Sequence, residues 1–271
     1  MARPITFLSD YGSDDEFAGV CRAVIARIAP EAQVIDLTHG IAAHSVGQGA
    51  AVLASSLAYA PAGVHLAVVD PGVGGDRRAI AVRVVLEDRI LVGPDNGLLE
   101  PAAKALGGAV EAVEISLSPV RLAPVFATFH GRDLFAPVAA HLALGAPLAE
   151  LGDPLAPGDL VELGRPPAEL SGDGSLRATI SHVDRFGNLA LVAGADEATA
   201  AGLRPGCRLQ VRGGSEQVEA IFARTFADAP EGALLVHVDA SGALALAVNR
   251  GSAAERLGLG AGAGVELDAR A

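Results

Sequence analysis

The first half of the sequence alternates short apolar runs with longer segments of helical period, and this alternation constrains the fold most strongly. Apolar runs rich in β-branched residues occupy 5–8, 34–37 and 64–69. Between them, residues 15–28 place apolar side chains three and four positions apart, and 46–59 is an alanine-rich helical segment. Repeated strand, loop and helix predict βαβ units. We therefore expect an α/β N-terminal domain with a mostly parallel, Rossmann-like sheet.

The second half has a different pattern. Residues 154–173 contain four prolines and several glycines, which indicates a linker. Short alternating runs then follow at 176–180, 208–212, 234–238 and 244–248, separated by glycine-rich turns. Such spacing is typical of a small antiparallel sheet or barrel. The sequence therefore predicts two domains, an α/β domain at 1–165 and a smaller β-rich domain at 166–271.

Charge and cysteine content exclude several classes of protein. The chain carries 20 Lys+Arg against 32 Asp+Glu, a formal charge of −12, which argues against a nucleic-acid partner. Two cysteines exclude a disulfide scaffold. No run reaches the roughly 20 apolar residues of a membrane helix, and the N-terminus lacks a signal-peptide pattern. The expectation is a soluble, cytoplasmic protein without a membrane partner.

Five polar clusters follow predicted strands, where ligands bind in open α/β sheets. Three lie in the first domain, at 9–15, 70–78 and 128–133, and two in the second, at 182–188 and 249–254. Each cluster alone also suits an Asx turn, a helix cap or a tight glycine turn. Five of them, spread over both domains, favour a ligand site to which both domains contribute.

Several familiar chemistries do not fit these clusters. The seven histidines show neither H-x-x-x-H nor H-E-x-x-H spacing, so no metal site is expected. There is no G-x-S-x-G nucleophile elbow, and the glycines of 72–75 match neither G-x-G-x-x-G nor a P-loop. Cys21 falls inside the first predicted helix, which favours a buried structural thiol.

Seven motifs in order resemble those of the S-adenosyl-L-methionine hydroxide adenosyltransferases, relatives of the fluorinase and chlorinase enzymes. They are SDYG at 9–12, DLTH at 36–39, VDPGVG at 69–74, GPDNG at 93–97, TFHGRD at 128–133, DRFGN at 184–188 and NRGSAA at 249–254. The match runs from Ile5 to about Leu259. The resemblance implies an α/β domain followed by a smaller β domain. It also implies a homotrimer that holds the ligand between the N-domain of one subunit and the C-domain of the next.

The resemblance implies hydrolysis of S-adenosyl-L-methionine to adenosine and L-methionine, by in-line attack of water or hydroxide on the ribose C5′. S-adenosyl-L-methionine is then a substrate, and no cofactor is expected. Carried over by motif, the groups near the attacking water are Asp70, Arg77 and His130. Arg78 is adjacent to Arg77, so the identity of the arginine stays open, as does the residue that takes the proton.

Binding residues carry over from the same family motifs. Asp10 matches the carboxylate that accepts from the ribose hydroxyls, and Asp184 the residue that pairs with the methionine ammonium. Asn188 matches the residue that reads the adenine edge. Backbone groups around Arg250 and Ser252 are also expected to reach adenine.

Two other functions fit parts of the same pattern. The first is a halogenase that uses chloride or fluoride on the same substrate. In those relatives a tyrosine stands at the position of Asp70, and the fluorinase has a serine at that of Gly131. A carboxylate repels a halide but accepts a hydrogen bond from water, which favours hydrolysis. The second is a non-catalytic protein that binds S-adenosyl-methionine or adenosine.

Overall fold

The computed structural model describes residues 2–164 and 166–269, which form two compact units divided after Gly164. The first unit has seven strands and four α-helices. They are β1 (Ile5–Ser9), α1 (Phe17–Ile28), β2 (Val34–Thr38), α2 (Val46–Leu57), β3 (Val64–Val68), β4 (Ala79–Val84), β5 (Ile90–Pro94), α3 (Glu100–Ala105), β6 (Ala109–Glu114), α4 (Ala136–Ala143) and β7 (Asp153–Leu155).

The strands of the first unit form one sheet in the order β2-β1-β3-β5-β4-β6-β7. Strands β2, β1, β3 and β5 are parallel, whereas β4, β6 and β7 join antiparallel at one side. The α/β class with its parallel sheet is thus confirmed. Strands β4 and β5, on either side of Glu87 and Asp88, form an antiparallel pair.

Helices cover both faces of this sheet, which explains why its central strands β1, β3 and β5 are buried at every position. Phe7 of β1 packs with α1 and α4, and Leu8 packs on the opposite face with α2 and α3. Cys21 is fully buried in the first of these layers, as expected, and burial raises the pKa of its thiol to about 12. Helix α1 begins after Glu16 without a side-chain cap, so a helix cap from the polar cluster at 9–15 is not what the structure shows.

The second unit is a closed barrel. Its elements are β8 (Glu169–Leu170), β9 (Leu176–Val183), β10 (Leu189–Gly194), α5 (Ala195–Ala200), β11 (Arg208–Gly213), β12 (Glu216–Phe222), β13 (Leu234–Val238), β14 (Ala243–Val248), α6 (Ala253–Leu257) and β15 (Gly264–Asp268). Strand pairing runs β9-β10-β14-β13-β12-β11-β15 and returns to β9, so seven strands close the barrel, and β8 pairs with β9 outside it. The predicted barrel-like domain is confirmed, with one parallel pair, β12–β13, among antiparallel ones.

The first part of the predicted linker is an ordered portion of the first unit. Strand β7 pairs with β6, and the Arg78 guanidinium donates to the Asp159 carbonyl at 2.5 Å. The Val161 amide donates to the Asp95 carboxylate at 2.9 Å. A free linker over 154–164 is therefore wrong, because specific hydrogen bonds hold these residues on the α/β unit. Across 2–164 and 166–269, no helix combines the length and apolar character needed to cross a membrane.

A buried histidine makes the stability of the first unit sensitive to acid. His65 on β3 is fully buried, and its Nδ1 lies 2.9 Å from Thr6 Oγ1. Burial, followed by the charge of Arg89, lowers the pKa of His65 to about 3. The folded state therefore keeps the ring neutral, whereas the unfolded chain takes up a proton below about pH 6.5.

We expect the free energy of unfolding to fall on this account by about 1.4 kcal/mol per pH unit once the pH is below about 6.5. His65→Gln removes this titration, so its stability should depend less steeply on acid. Urea unfolding of both proteins at pH 8, 7, 6 and 5 measures the difference. Plots of the free energy of unfolding against pH should run parallel for the two proteins at pH 7 to 8 and diverge at lower pH. Parallel plots down to pH 5 would contradict the expectation.

Candidate active site

Two of the predicted carboxylates lie at the same edge of the sheet. Asp10 directly follows β1, and Asp70 follows β3, its parallel neighbour. Ser9 stands opposite Val68 in the register, and the Asp10 amide donates to the Val68 carbonyl at 3.3 Å. The parallel pairing therefore places both carboxylates at one carboxyl edge, where the sequence predicts them.

Asp70 forms a buried ion pair with Arg77, from the same loop. Arg77 Nε donates to Asp70 Oδ1 at 2.9 Å, and Arg77 Nη2 donates to Asp70 Oδ2 at 2.5 Å. Only 5% of the Asp70 side chain and 10% of the Arg77 side chain are exposed. Two parallel hydrogen bonds between buried charges fix the orientation of the carboxylate.

His130 completes a chain of three side chains. Arg77 Nη2 lies 2.8 Å from His130 Nδ1. A guanidinium carries donors only, so Nδ1 accepts this hydrogen bond and the proton of the neutral ring is on Nε2. Burial, reinforced by the Arg77 charge, lowers the pKa of His130 below its ordinary value. His130 is therefore neutral at pH 7 and offers an N–H donor at Nε2.

Arg78 has different partners, although it adjoins Arg77 in sequence. Its Nε donates to Asp95 Oδ2 at 2.8 Å. Asp95 comes from the GPDNG motif, whose Asn96 donates to the Val69 carbonyl at 2.9 Å, one residue before Asp70. The structure thus brings Arg77, rather than Arg78, beside Asp70 and His130, while Arg78 and Asn96 hold the flanking backbone.

A glycine allows the loop of Asp70 to approach the loop of His130. Gly74 has a φ of +75°, and a Cβ at this position would contact the backbone carbonyl of Ala127. Residue 127 lies three positions before His130. Any larger residue at 74 would strain the backbone and separate the two loops. The VDPGVG motif therefore serves the close approach that joins Asp70 and Arg77 to His130.

Asp70 and His130 line a cavity of about 250 Å³. Its polar wall contains Asp10, Tyr11, His44, Asp70 and His130. Asp10 Oδ2 accepts from the His44 amide at 2.9 Å, and Asp10 Oδ1 makes no hydrogen bond within 2–164 and 166–269. The same described residues contain no group of three or more His, Cys, Asp or Glu side chains arranged to hold a metal ion.

A second cavity, of about 480 Å³, lies in the barrel unit. It is lined by Phe186, Asn188, Phe226, Val248, Arg250, Gly251 and Ser252. The rings of Phe186 and Phe226 are 70% and 42% exposed, which is unusual for large aromatic side chains. An apolar cavity with exposed rings and one amide side chain suits a flat aromatic ligand that also carries hydrogen-bonding edges.

Asp184 organises the turn between β9 and β10. Its Oδ1 accepts from the amides of Phe186 and Asn188 at 2.8 and 2.9 Å. Its Oδ2 accepts from Asn188 Nδ2 at 2.7 Å. The carboxylate is exposed and keeps further lone pairs. In this structure Asp184 therefore orients the Asn188 amide, in addition to presenting a negative charge.

Two loops meet at this second cavity. The Ala254 amide donates to the Gly187 carbonyl at 3.0 Å, and Ser252 Oγ caps α6 by accepting from the Glu255 amide at 3.1 Å. Arg250 has a φ of +60°, and its guanidinium lies 3.0 Å from Glu231 in an exposed pair. Arg250 and Ser252 thus reach the cavity from the loop before α6, beside Asn188.

Several residues of the two cavities were missed by sequence reasoning. Tyr11 and Phe186 lie inside quoted motifs, so their aromatic character was an available signal. His44 and Phe226 lie outside every motif. His44 adopts a φ of +67°, and Phe226 begins a short 3₁₀ turn. Neither feature has a signature in the local sequence.

Comparisons with known proteins identify a related family domain for each of the two units. A family model described as the SAM hydroxide adenosyltransferase N-terminal domain matches residues 5–152, and the corresponding C-terminal domain model matches residues 178–266. A protein of Salinispora arenicola named (R)-S-adenosyl-L-methionine hydrolase is 51% identical over 253 residues, 93% of each chain.

A more distant relative and a solved structure also match nearly the whole chain. A fluorinase of Actinopolyspora mzabensis is 30% identical, covering 98% of this chain and 97% of its own. The crystal structure of an uncharacterized conserved protein from Thermotoga maritima superposes with a TM-score of 0.90 at 36% identity, covering 97% of this chain and 99% of that one. The shared fold therefore extends over nearly the whole chain.

Proposed function

Because this chain belongs to the SAM hydroxide adenosyltransferase family, we propose that it hydrolyses S-adenosyl-L-methionine to adenosine and L-methionine. The relative from Salinispora arenicola is named for the (R) epimer, and we extend that preference to this chain. The observation that carries the proposal is the hydrogen-bonded chain of Asp70, Arg77 and His130, in which the Asp70–Arg77 ion pair is buried and Asp70 and His130 line the first cavity.

The proposed reaction is a substitution at the ribose C5′. The water oxygen forms a bond to C5′ while the bond from C5′ to sulfur breaks. The electron pair of the broken bond stays on sulfur. Methionine departs as a neutral thioether, so the leaving group needs no acid. What the site supplies is alignment of the water and exclusion of other waters. We propose that the enzyme needs no cofactor for this step.

We propose that Asp70 accepts the proton that the attacking water releases. His130 Nδ1 is occupied by Arg77 and its Nε2 already carries a proton, so the neutral ring can donate to the water but cannot deprotonate it. Attack by neutral water gives a protonated alcohol, which is a far stronger acid than a carboxylic acid. Asp70 can therefore accept the proton late in the reaction, even while it is paired with Arg77.

We assign the remaining predicted site residues to substrate binding. Asp10, with Oδ1 available, accepts from the ribose hydroxyls, and Asp184 attracts the methionine ammonium. Adenine lies in the cavity of the barrel unit, against exposed Phe186, where Asn188 and the loop of Arg250 and Ser252 contact its edge.

We also propose that the enzyme works as a homotrimer whose active sites are shared between subunits, as the family resemblance implies. Each cavity holds part of the required groups: the first unit holds the carboxylates for ribose and water, and the barrel unit holds the aromatic rings and Asn188. The sedimentation mass of the purified protein tests the number of chains.

The hydrolase proposal is tested by incubating the protein separately with the (R) and (S) epimers in chloride buffer. Chromatography of the nucleosides should show adenosine, formed with an equal amount of methionine, and faster from the (R) epimer. Formation of 5′-chloro-5′-deoxyadenosine instead would indicate a halogenase. Binding of the ligand without any nucleoside product would indicate a non-catalytic binding protein.

The tautomer of His130 predicts how kcat/KM falls at acidic pH. Protonation would place a proton on Nδ1, against the Arg77 guanidinium, and would disrupt the chain of three residues. Because the pKa of His130 is lowered, the neutral, active form persists to a lower pH than for a free histidine. We expect kcat/KM to fall only below an apparent pKa that is less than about 6.5.

His130→Gln is the matched variant, because an amide donates a hydrogen bond but does not titrate. It should be slower and should lack the acid decline between pH 7 and 5. Initial rates of adenosine formation in overlapping buffers measure both profiles. An identical acid decline in the variant would show that another group is responsible.

A further inference from the structure

Tyr11 is a rigid side chain of the first cavity to which no role has been assigned. Its ring packs edge-on against Phe7 and Phe129, with centroid distances of 6.5 and 5.9 Å, and lies 5.8 Å from the ring of Phe17. Its amide donates to Ser9 Oγ at 3.3 Å. The position of the phenol is therefore fixed by the sheet edge and by three aromatic neighbours.

The Tyr11 hydroxyl has no hydrogen-bond partner in the described parts of the chain, although it stands among polar groups. A Cβ added to Gly131 would overlap Tyr11 Oη, so the hydroxyl lies directly against the residue that follows His130. The charges of Asp10, Asp70 and Arg77 all act on this phenol. The hydroxyl therefore belongs to the same cavity wall as Asp70 and His130 and is available to hydrogen-bond a ligand or a water there.

The phenol is a hydrogen-bonding group rather than a base. Burial, with smaller contributions from neighbouring negative charges, raises the pKa of Tyr11 well above its ordinary range. The hydroxyl therefore keeps its proton at neutral pH. It can accept a hydrogen bond, but it does not ionise to compete with Asp70.

We propose that Tyr11 Oη is a catalytic contact to the nucleophilic water, alongside Asp70 and His130; this inference rests on the proposed hydrolysis. Water has two protons and two lone pairs. Asp70 and Tyr11 accept one proton each in hydrogen bonds, and His130 Nε2 donates to one lone pair. The second lone pair is then directed at C5′.

This arrangement orients the water before the substrate arrives. The ring packing of Tyr11 and the ion pair of Asp70 hold both acceptors in place, so little reorganisation accompanies attack. The absence of a side chain at Gly131 is then a requirement, because the space is filled by the tyrosine hydroxyl. The pair of Tyr11 and Gly131 thus forms one functional unit.

The test compares Tyr11→Phe with Tyr59→Phe. The chain has two tyrosines, and Tyr59 is 83% exposed, so the second variant makes the same chemical change outside the cavity. We expect Tyr11→Phe to lower kcat by about tenfold or more, the loss typical of one hydrogen bond to a reacting group. KM and the dissociation constant of adenosine should stay within about twofold, because the ring is retained. Tyr59→Phe should match the wild type.

Gly131→Ala provides a second, independent variant. Its methyl group should displace the Tyr11 hydroxyl and lower kcat. In the Tyr11→Phe background the severe overlap with the hydroxyl is removed, and the nearest ring atoms lie 3.0 and 3.3 Å from the added Cβ. Adding Gly131→Ala should therefore cause a smaller loss of kcat than it does in the wild type, giving a non-additive double-mutant cycle. If Tyr11→Phe fails to fold, as judged by its melting curve, Gly131→Ala decides alone.

The outcomes separate this inference from the proposed function. A wild-type protein that forms no adenosine overturns the hydrolase proposal. An active wild type with full kcat in folded Tyr11→Phe overturns the role of Tyr11 and leaves the hydrolase intact. If Gly131→Ala decides alone, loss of kcat with adenosine binding retained supports the inference, and wild-type kcat contradicts it.

Discussion

Asp70→Asn is expected to lower kcat by about a thousandfold or more while adenosine still binds. Asparagine keeps the shape of the side chain but removes the proton acceptor assigned to the attacking water, and such groups contribute about 10²- to 10⁴-fold. The same change leaves the buried Arg77 guanidinium without its counter-charge. Alignment of the water and stability of the loop should therefore both suffer.

The matched control is Asp76→Asn, an exposed carboxylate in the same loop. It changes the net charge equally, but its side chain makes no hydrogen bond or ion pair with Asp70, Arg77 or His130. Single-turnover formation of adenosine, together with the dissociation constant of adenosine from calorimetry, separates chemistry from binding. An Asp70→Asn enzyme within tenfold of wild-type kcat would contradict the assigned role.

Gly187→Ala is expected to destroy the cavity of the barrel unit. Gly187 has a φ of +79°, and an added Cβ would overlap the side chain of Ser252. The left-handed conformation alone costs roughly 1–2 kcal/mol for a residue with a Cβ. Relief of the overlap requires the turn of Asn188 to move away from the loop of Ser252. We expect the affinity for adenosine to fall by about tenfold or more.

Gly242→Ala is a control that separates the effect of backbone strain from the effect of the overlap with Ser252. Gly242 has a φ of +86°, also in the barrel unit, but an added Cβ would meet no atom within 4 Å. This variant should lose stability by a similar strain term and bind adenosine as the wild type does. Calorimetric titration with adenosine and thermal unfolding measure the two effects. Equal loss of affinity in both variants would mean that the contact between Gly187 and Ser252 does not shape the binding cavity.

The α/β architecture could be predicted because its strands and helices have local periodic signals. The buried strands β1 and β3 are short, predominantly apolar runs, and the helix between β1 and β2 shows apolar spacing of three and four. The parallel pairing of β12 with β13 had no such signal, because strand direction within a barrel depends on chain closure rather than on composition. The ordered segment at 154–164 was also missed, because the hydrogen bonds of Asp159 and Val161 to the first unit are long-range.

The candidate site shows the same division between local and tertiary information. Asp10 and Asp70 could be placed together because both follow parallel strands of one sheet. The choice between Arg77 and Arg78 could not be made from sequence, since the two are identical and adjacent; their partners Asp70 and Asp95 distinguish them. Phe226 comes from a short turn whose sequence resembles any capped loop, so its contribution to a cavity was invisible locally.

The most direct test of the proposed chemistry is hydrolysis of S-adenosyl-L-methionine in water enriched in oxygen-18, followed by mass spectrometry of both products. Attack at C5′ predicts one labelled oxygen in adenosine, at the 5′ hydroxyl, and none in methionine. Asp70→Asn should slow the formation of labelled adenosine by about a thousandfold or more, whereas Asp76→Asn should not. Unlabelled adenosine, or a labelled amino-acid product together with a thioether nucleoside, would contradict attack of water at C5′.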